Sequence, residues 1–181
     1  MRPSVPAAFG LVAVALCPAS AQAQEVFAGI YAHEVETPFT FPVDEGGVDF
    51  ELGYRFAPQD ALDFIGKPQP YVLASLNSQG DTSFAGAGLS WKLGKGPWYV
   101  RPGIGVVVHD GPELRFDPVT FERYDLGSRV LFEPEIAVGT NVSERLAVEA
   151  SWVHISHARL FNREQNPGID MMGVRLTYRI R

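Results

Sequence analysis

The chain has 181 residues, a formal net charge of −6 and a single cysteine. Its charges are scattered and tilt acidic, which excludes the basic footprint of a nucleic-acid binder; one cysteine excludes a disulfide framework and a cysteine-built zinc site. Hydrophobic residues make up 46% and aromatics recur throughout, so the composition is not that of a disordered chain.

The first element in chain order is a targeting signal. Arg2 supplies a positive start, Ala7 to Leu16 an apolar core, and Ala21-Gln22-Ala23 a small-x-small cleavage site. The expected cut follows Ala23, leaving residues 24–181 as one domain. The apolar core is shorter than the ~20 residues a spanning helix needs. Cys17 lies inside it behind Leu16, where a lipoprotein acceptor has a small residue, so the mature chain carries no cysteine. No later stretch is long and apolar enough for a spanning helix. An exported chain of this kind is either a soluble periplasmic domain or a membrane β-barrel.

From there the dominant signal is a period of two. Glu25 to His33 is a first, weaker candidate strand. In Val48 to Phe56 the even positions are Val48, Phe50, Leu52, Tyr54 and Phe56, against Asp49, Glu51, Gly53 and Arg55. Gln69 to Asn77 and Thr82 to Leu93 follow, with a helical turn predicted earlier, over Pro58 to Ile65. Trp98 to Val108 and Arg129 to Val138 repeat the strong alternation, although Pro102 and Pro134 fall inside them and predict bulges. Leu146 to Ser156 and Met172 to Ile180 complete about eight strands, many near the ~9–11 residues that cross a membrane.

The polar faces decide between the two kinds of barrel. They carry Asp49, Glu51, Arg55, Arg101, Glu133, Glu135, Glu149, Arg175 and Arg179, both signs together, as a narrow paired lumen requires. A soluble lipocalin-like barrel would turn the same charges to water. Strand length, glycines on the polar face and the aromatics Trp91, Trp98, Trp152 and Tyr178 favour the membrane form. The predicted fold is all-β, an eight-stranded antiparallel up-and-down transmembrane β-barrel of the bacterial outer membrane. Glu34 to Gly47, Ser78 to Asp81, Asp110 to Ser128 and His157 to Ile169 then become extracellular loops. His33 and His109 read as rim histidines without metal-ligand spacing.

One group of residues breaks the pattern. His154 and Ser156 share the lipid-facing parity of Leu146, Val148, Ala150 and Trp152, and Asp170 shares that of Met172 and Val174. Polar groups are unfavourable on that face, though less so near the rim. A base, a hydroxyl and an acid suit acyl transfer, because serine is a weak nucleophile until a base oriented by a carboxylate takes its proton. The same three also fit a rim hydrogen-bonded to headgroups or water, with no chemistry.

The C-terminal third resembles the PagL-type lipid A 3-O-deacylases, outer-membrane acyloxyacyl hydrolases. The likeness lies in His154-Ile155-Ser156-His157-Ala158 and Asn166-Pro167-Gly168-Ile169-Asp170, and more loosely in Val100-Arg101-Pro102-Gly103-Ile104-Gly105-Val106. The resemblance implies a Ser–His–acid site facing the outer leaflet, where it removes the ester-linked 3-O-acyl chain of lipid A in lipopolysaccharide. Ser156 is then nucleophile, His154 base and Asp170 orienting acid, with Asn166 and the Gly168 backbone as oxyanion-hole candidates. Arg159 and Arg163 are candidates to meet lipid A phosphates, or else solvated loop charges.

Two positions depart from the family pattern: His157 stands where it carries asparagine, and Asp170 where its best-known members carry glutamate. No metal or organic cofactor and no nucleic acid enters this reading, and self-association into a homo-oligomer stays open. The other classes in play are a non-catalytic structural or adhesion barrel and a soluble lipocalin-like carrier.

Overall fold

The computed structural model describes residues 24–38, 40, 43–94, 96–111, 125–158 and 167–180. The signal segment, Arg159, Arg163 and Asn166 lie outside the described residues. Eight strands run in chain order: β1 Glu25–Ala32, β2 Val48–Arg55, β3 Gln69–Asn77, β4 Phe84–Ser90, β5 Trp98–His109, β6 Val130–Asn141, β7 Leu146–Ser156 and β8 Gly168–Arg179. Each pairs antiparallel with its neighbours, and β1 pairs with β8, so the barrel is closed. Closure leaves no sheet edge, which a chain surrounded by lipid cannot tolerate. Among the described residues no helix is long and apolar enough to cross a membrane.

The alternation read from the sequence is the inside–outside pattern of the wall. Leu52, Leu76 and Val174 are 62%, 64% and 55% exposed, whereas Arg55, Arg101 and Arg175 are 0% exposed. Apolar outside and charged inside is the reverse of a soluble barrel, and it sets the lipocalin-like reading aside. Glycines on the inner face clear space for rings: a Cβ at Gly53 would run into the Phe27 ring, and one at Gly139 into Tyr99.

The interior is a connected ion-pair network. Arg175 of β8 donates from Nε to Glu51 of β2 at 2.8 Å and from Nη2 to Glu135 of β6 at 2.7 Å. Its Nη1 stands 3.5 Å from Glu149 of β7. Arg101 of β5 donates to Glu149 at 3.0 Å, to Gln69 at 2.7 Å and to Glu25 at 2.9 Å. Arg55 lies over the Phe27 ring, 4.1 Å from its centroid. Tyr31, Tyr71 and Tyr99 donate their hydroxyls to Glu51, Glu133 and Glu149. Both ends of every tie are on different strands, so the network braces the barrel across its lumen.

The prolines act otherwise than predicted. The β5–β6 register runs unbroken through Pro102↔Ile136 and Ile104↔Pro134, with no inserted residue. On its other side Pro102 accepts from the Trp91 amide at 3.0 Å but has no N–H to return. This explains why β4 stops at Ser90 short of the predicted Leu93, with pairing resuming only at the isolated Leu93↔Val100 bridge. At Pro134 the β6–β7 ladder skips the pairs that would face Glu133 and Pro134 with Ile155 and His154, while the register beyond is unchanged. The gap therefore opens beside His154. The predicted helical turn is a 3-10 helix, Asp60–Ile65, closed by Gly66 at φ 89.

Replacing Arg175 by Met should strand Glu51, Glu135 and Glu149 inside the lumen. The expected cost is about 3–5 kcal/mol, the usual effect of removing one partner from a buried pair. Urea unfolding of the refolded barrel in detergent micelles measures it, and an unchanged midpoint contradicts the bracing role.

Candidate active site

The group of interest sits where β7 ends and β8 begins. Direct cross-strand pairing places Asp170 opposite His154 and Gly168 opposite Ser156. The parity of these strands turns Val153, Ile155, Ile169 and Met171 inward, each 1% exposed or less, and leaves Met172 on the outer face at 46%. His154, Ser156 and Asp170 share the parity of Met172 and therefore lie on the outer wall.

The three side chains form one hydrogen-bonded line. His154 Nδ1 is 2.9 Å from Asp170 Oδ1, and His154 Nε2 is 2.9 Å from Ser156 Oγ. Each end of the imidazole thus has one partner, so a carboxylate on Nδ1 keeps the proton there and leaves Nε2 to accept from the serine. Such an arrangement can raise the nucleophilicity of a hydroxyl and hold the imidazolium that follows. The side chain of His154 is 13% exposed and that of Asp170 0%, so the line is sheltered but not sealed.

Gly168 has a steric part in this geometry. A Cβ there would stand 2.9 Å from His154 Cε1 and 3.1 Å from Ser156 Cβ. Its absence keeps the space in front of the serine and the ring clear. His157, the departure from the family's asparagine, is fully buried, and among the described residues neither of its ring nitrogens has a partner.

Three residues outside the predicted site complete the surroundings of the acid. Trp152 donates its indole N–H to Asp170 Oδ1 at 2.9 Å, its ring 6.1 Å from that of His154. Thr37 and Thr40, from the loop between β1 and β2, donate to Asp170 Oδ2, Thr40 at 2.9 Å. Trp152 reads from sequence as part of an aromatic girdle, yet its parity with His154 is the clue that it belongs here. The threonines carry no local clue, since only closure of β1 onto β8 brings their loop to this corner. That loop also encloses a cavity of about 280 Å³ lined by Glu34, Val35, Glu36, Thr37 and Thr40.

The loop is anchored by a second histidine. His33, expected at the rim, is instead buried, with Asp49 2.7 Å from Nδ1 and Glu45 2.9 Å from Nε2. His109 is also buried, against the Ser128 carbonyl at 2.7 Å. No cluster of metal-ligating side chains occurs among the described residues.

Comparison with known proteins identifies the chain. A family model described as "Lipid A 3-O-deacylase (PagL)" matches residues 46–179. The chain belongs to the PagL family of lipid A 3-O-deacylases. It is thus an ester hydrolase, built as an eight-stranded barrel of the outer-membrane type. The crystal structure of the outer-membrane enzyme PagL superposes with a TM-score of 0.60 at 16% identity, covering 85% of this chain and 98% of that one. Neisserial surface protein A gives a TM-score of 0.56 at 8% identity, covering 87% and 97%. The N-terminal barrel domain of Pseudomonas aeruginosa OprF gives 0.52 at 9%, covering 88% and 100%. At such identities these structures show the barrel alone; the family assignment rests on the sequence model. No curated protein sequence matches the chain.

The His33 anchor has a defined pH dependence. Burial opposes its charge, but the hydrogen bonds to Asp49 and Glu45 outweigh burial and raise its pKa to about 9. A free histidine titrates near ~6.5. The anchor therefore contributes fully below that pH, and its contribution disappears as pH rises through about 9. A nitrogen-15 histidine titration of the refolded barrel should show the His33 ring charged through neutral pH; ordinary titration in the mid-sixes contradicts the anchor.

Proposed function

We propose that this PagL-family protein removes the 3-O-acyl chain of lipid A by serine catalysis, with Ser156 as nucleophile, His154 as general base and Asp170 as the orienting acid. The observation that carries this reading is the unbroken line Ser156–His154–Asp170, 2.9 Å at each step, on the outer wall of the barrel.

The reaction takes two steps. Ser156 Oγ attacks the ester carbonyl as His154 Nε2 takes its proton, giving a tetrahedral oxyanion. Collapse breaks the bond to the sugar oxygen, and His154 returns the proton to that oxygen, which leaves as the free 3-hydroxyl. Water, deprotonated by the same nitrogen, then attacks the acyl-serine; the bond to Ser156 Oγ breaks, His154 returns the proton to that oxygen, and the chain departs as a fatty acid. The Gly168 backbone and Asn166 serve the oxyanion in this scheme, since donors aimed at developing charge supply the largest electrostatic gain. Arg159 and Arg163 meet the lipid A phosphates through charge-assisted bonds.

The loops support a membrane orientation for this reading. The serine lies at the same end as the long connections 33–47, 110–129 and 157–167, whereas the β6–β7 turn at the other end is short. In small outer-membrane barrels the long loops are extracellular. Export by the signal over residues 1–23 then sets Ser156 at the level of the outer leaflet, where lipopolysaccharide resides. The substrate is attacked as a membrane component, from the side of the wall. All three residues come from one chain, so this chemistry needs no second copy.

Expression of the wild type in a Gram-negative host should remove one hydroxyacyl mass from lipid A by mass spectrometry. Ser156→Ala should abolish the loss, and Asp170→Asn should slow it by up to ~10⁴-fold through the wrong tautomer. A well-folded wild type that leaves lipid A unchanged would mark a non-catalytic barrel.

A further inference from the structure

We propose that the β1–β2 loop is a working part of the hydrolase, and that Thr37 and Thr40 are positioning residues that lock the Asp170 carboxylate for His154. The inference rests on the triad reading above and extends it to a loop more than one hundred residues away in sequence.

An ionised carboxylate has about four acceptor sites, and at Asp170 four donors take them. Oδ1 serves His154 Nδ1 and Trp152 Nε1, each at 2.9 Å. Oδ2 accepts from Thr37 and, at 2.9 Å, from Thr40. With Oδ2 held, the carboxylate cannot swing about its bond to Cβ, so Oδ1 stays on the imidazole. The backbone adds a further tie, because the Val35 amide donates to the Asp170 carbonyl at 2.7 Å. Aspartate has one carbon fewer than the family's glutamate to reach the ring, and these ties fix its only useful rotamer.

The loop has ties other than the threonine hydroxyls. Its neck is closed by the Glu34 carboxylate, which accepts from the amides of Val43, Asp44 and Glu45. Glu45 is tied in turn to His33 at 2.9 Å, and to the Thr82 amide and hydroxyl at 3.0 and 2.9 Å. The threonines are thus presented to the acid by a frame built elsewhere. Both hydroxyls donate to the carboxylate, the position expected of groups that act through another residue.

The test uses the full mature chain refolded in detergent micelles, with purified lipid A as substrate. Replacing both hydroxyls by methyls, in Thr37→Val with Thr40→Val, should lower kcat by about tenfold to a hundredfold, the usual cost of misplacing a catalytic group. KM should change little, because neither hydroxyl touches the substrate. The pair Thr37→Ser with Thr40→Ser should restore kcat, and the downfield Nδ1 proton of His154 should weaken in the valine pair and return in the serine pair. Gel mobility of heated and unheated samples shows that each variant folds. Wild-type kcat in the valine pair, beside an inactive Ser156→Ala, overturns the role of the loop. A loss that the serine pair does not restore overturns it as well, since packing alone would then account for the effect. Full activity in Ser156→Ala instead overturns the triad reading itself.

Discussion

The structure hangs on Arg175. A guanidinium buried at the centre of β8 binds carboxylates from β2, β6 and β7. Charges in such a place are stable only when paired with charges of the opposite sign. The set in turn is possible only because every strand alternates, so that each delivers its ionic residues to one side. The lumen is therefore filled, not open.

Filling the lumen with charge leaves the wall to be apolar, and this makes the polar group at the end of β7 conspicuous. Its tolerance has a local cause. Asp170 is 1% exposed, and its donors come from β7, β8's neighbour, and from the loop after β1. A saturated carboxylate is far less costly beside lipid than a bare one. The gap in the β6–β7 ladder beside His154 adds to this picture, since a proline on β6 withholds a backbone donor at the level of the base. Polar groups on an apolar wall thus call for partners, and here the β1–β2 loop supplies two of them.

The two departures from the family pattern have different fates. Asp170, shorter than glutamate, still reaches the ring because it is the direct cross-strand partner of His154. His157 is buried without a partner for either nitrogen among the described residues, and nothing in the structure explains it. The fold match to Neisserial surface protein A and to the OprF barrel carries a related lesson. One scaffold serves different proteins, so the function of this chain has to be argued from its own side chains and not from the barrel.

Much of this was legible in the sequence. The period of two determined the strands and which residues share a face, because alternation is a local property of an extended backbone; strand length, glycines on the polar face and aromatics at the strand ends favoured the membrane barrel over a soluble one. The same period put His154, Ser156 and Asp170 on one face. Strand ends were less legible: β4 is shorter than its pattern because of a proline on the neighbouring strand, which no reading of β4 alone reveals. Likewise His33 looked like a rim residue until Asp49 and Glu45 closed on it. What only the tertiary structure decided is the environment of the acid. Thr37 and Thr40 reach Asp170 because β1 pairs with β8, and closure of a barrel brings together segments that no periodicity within either one connects.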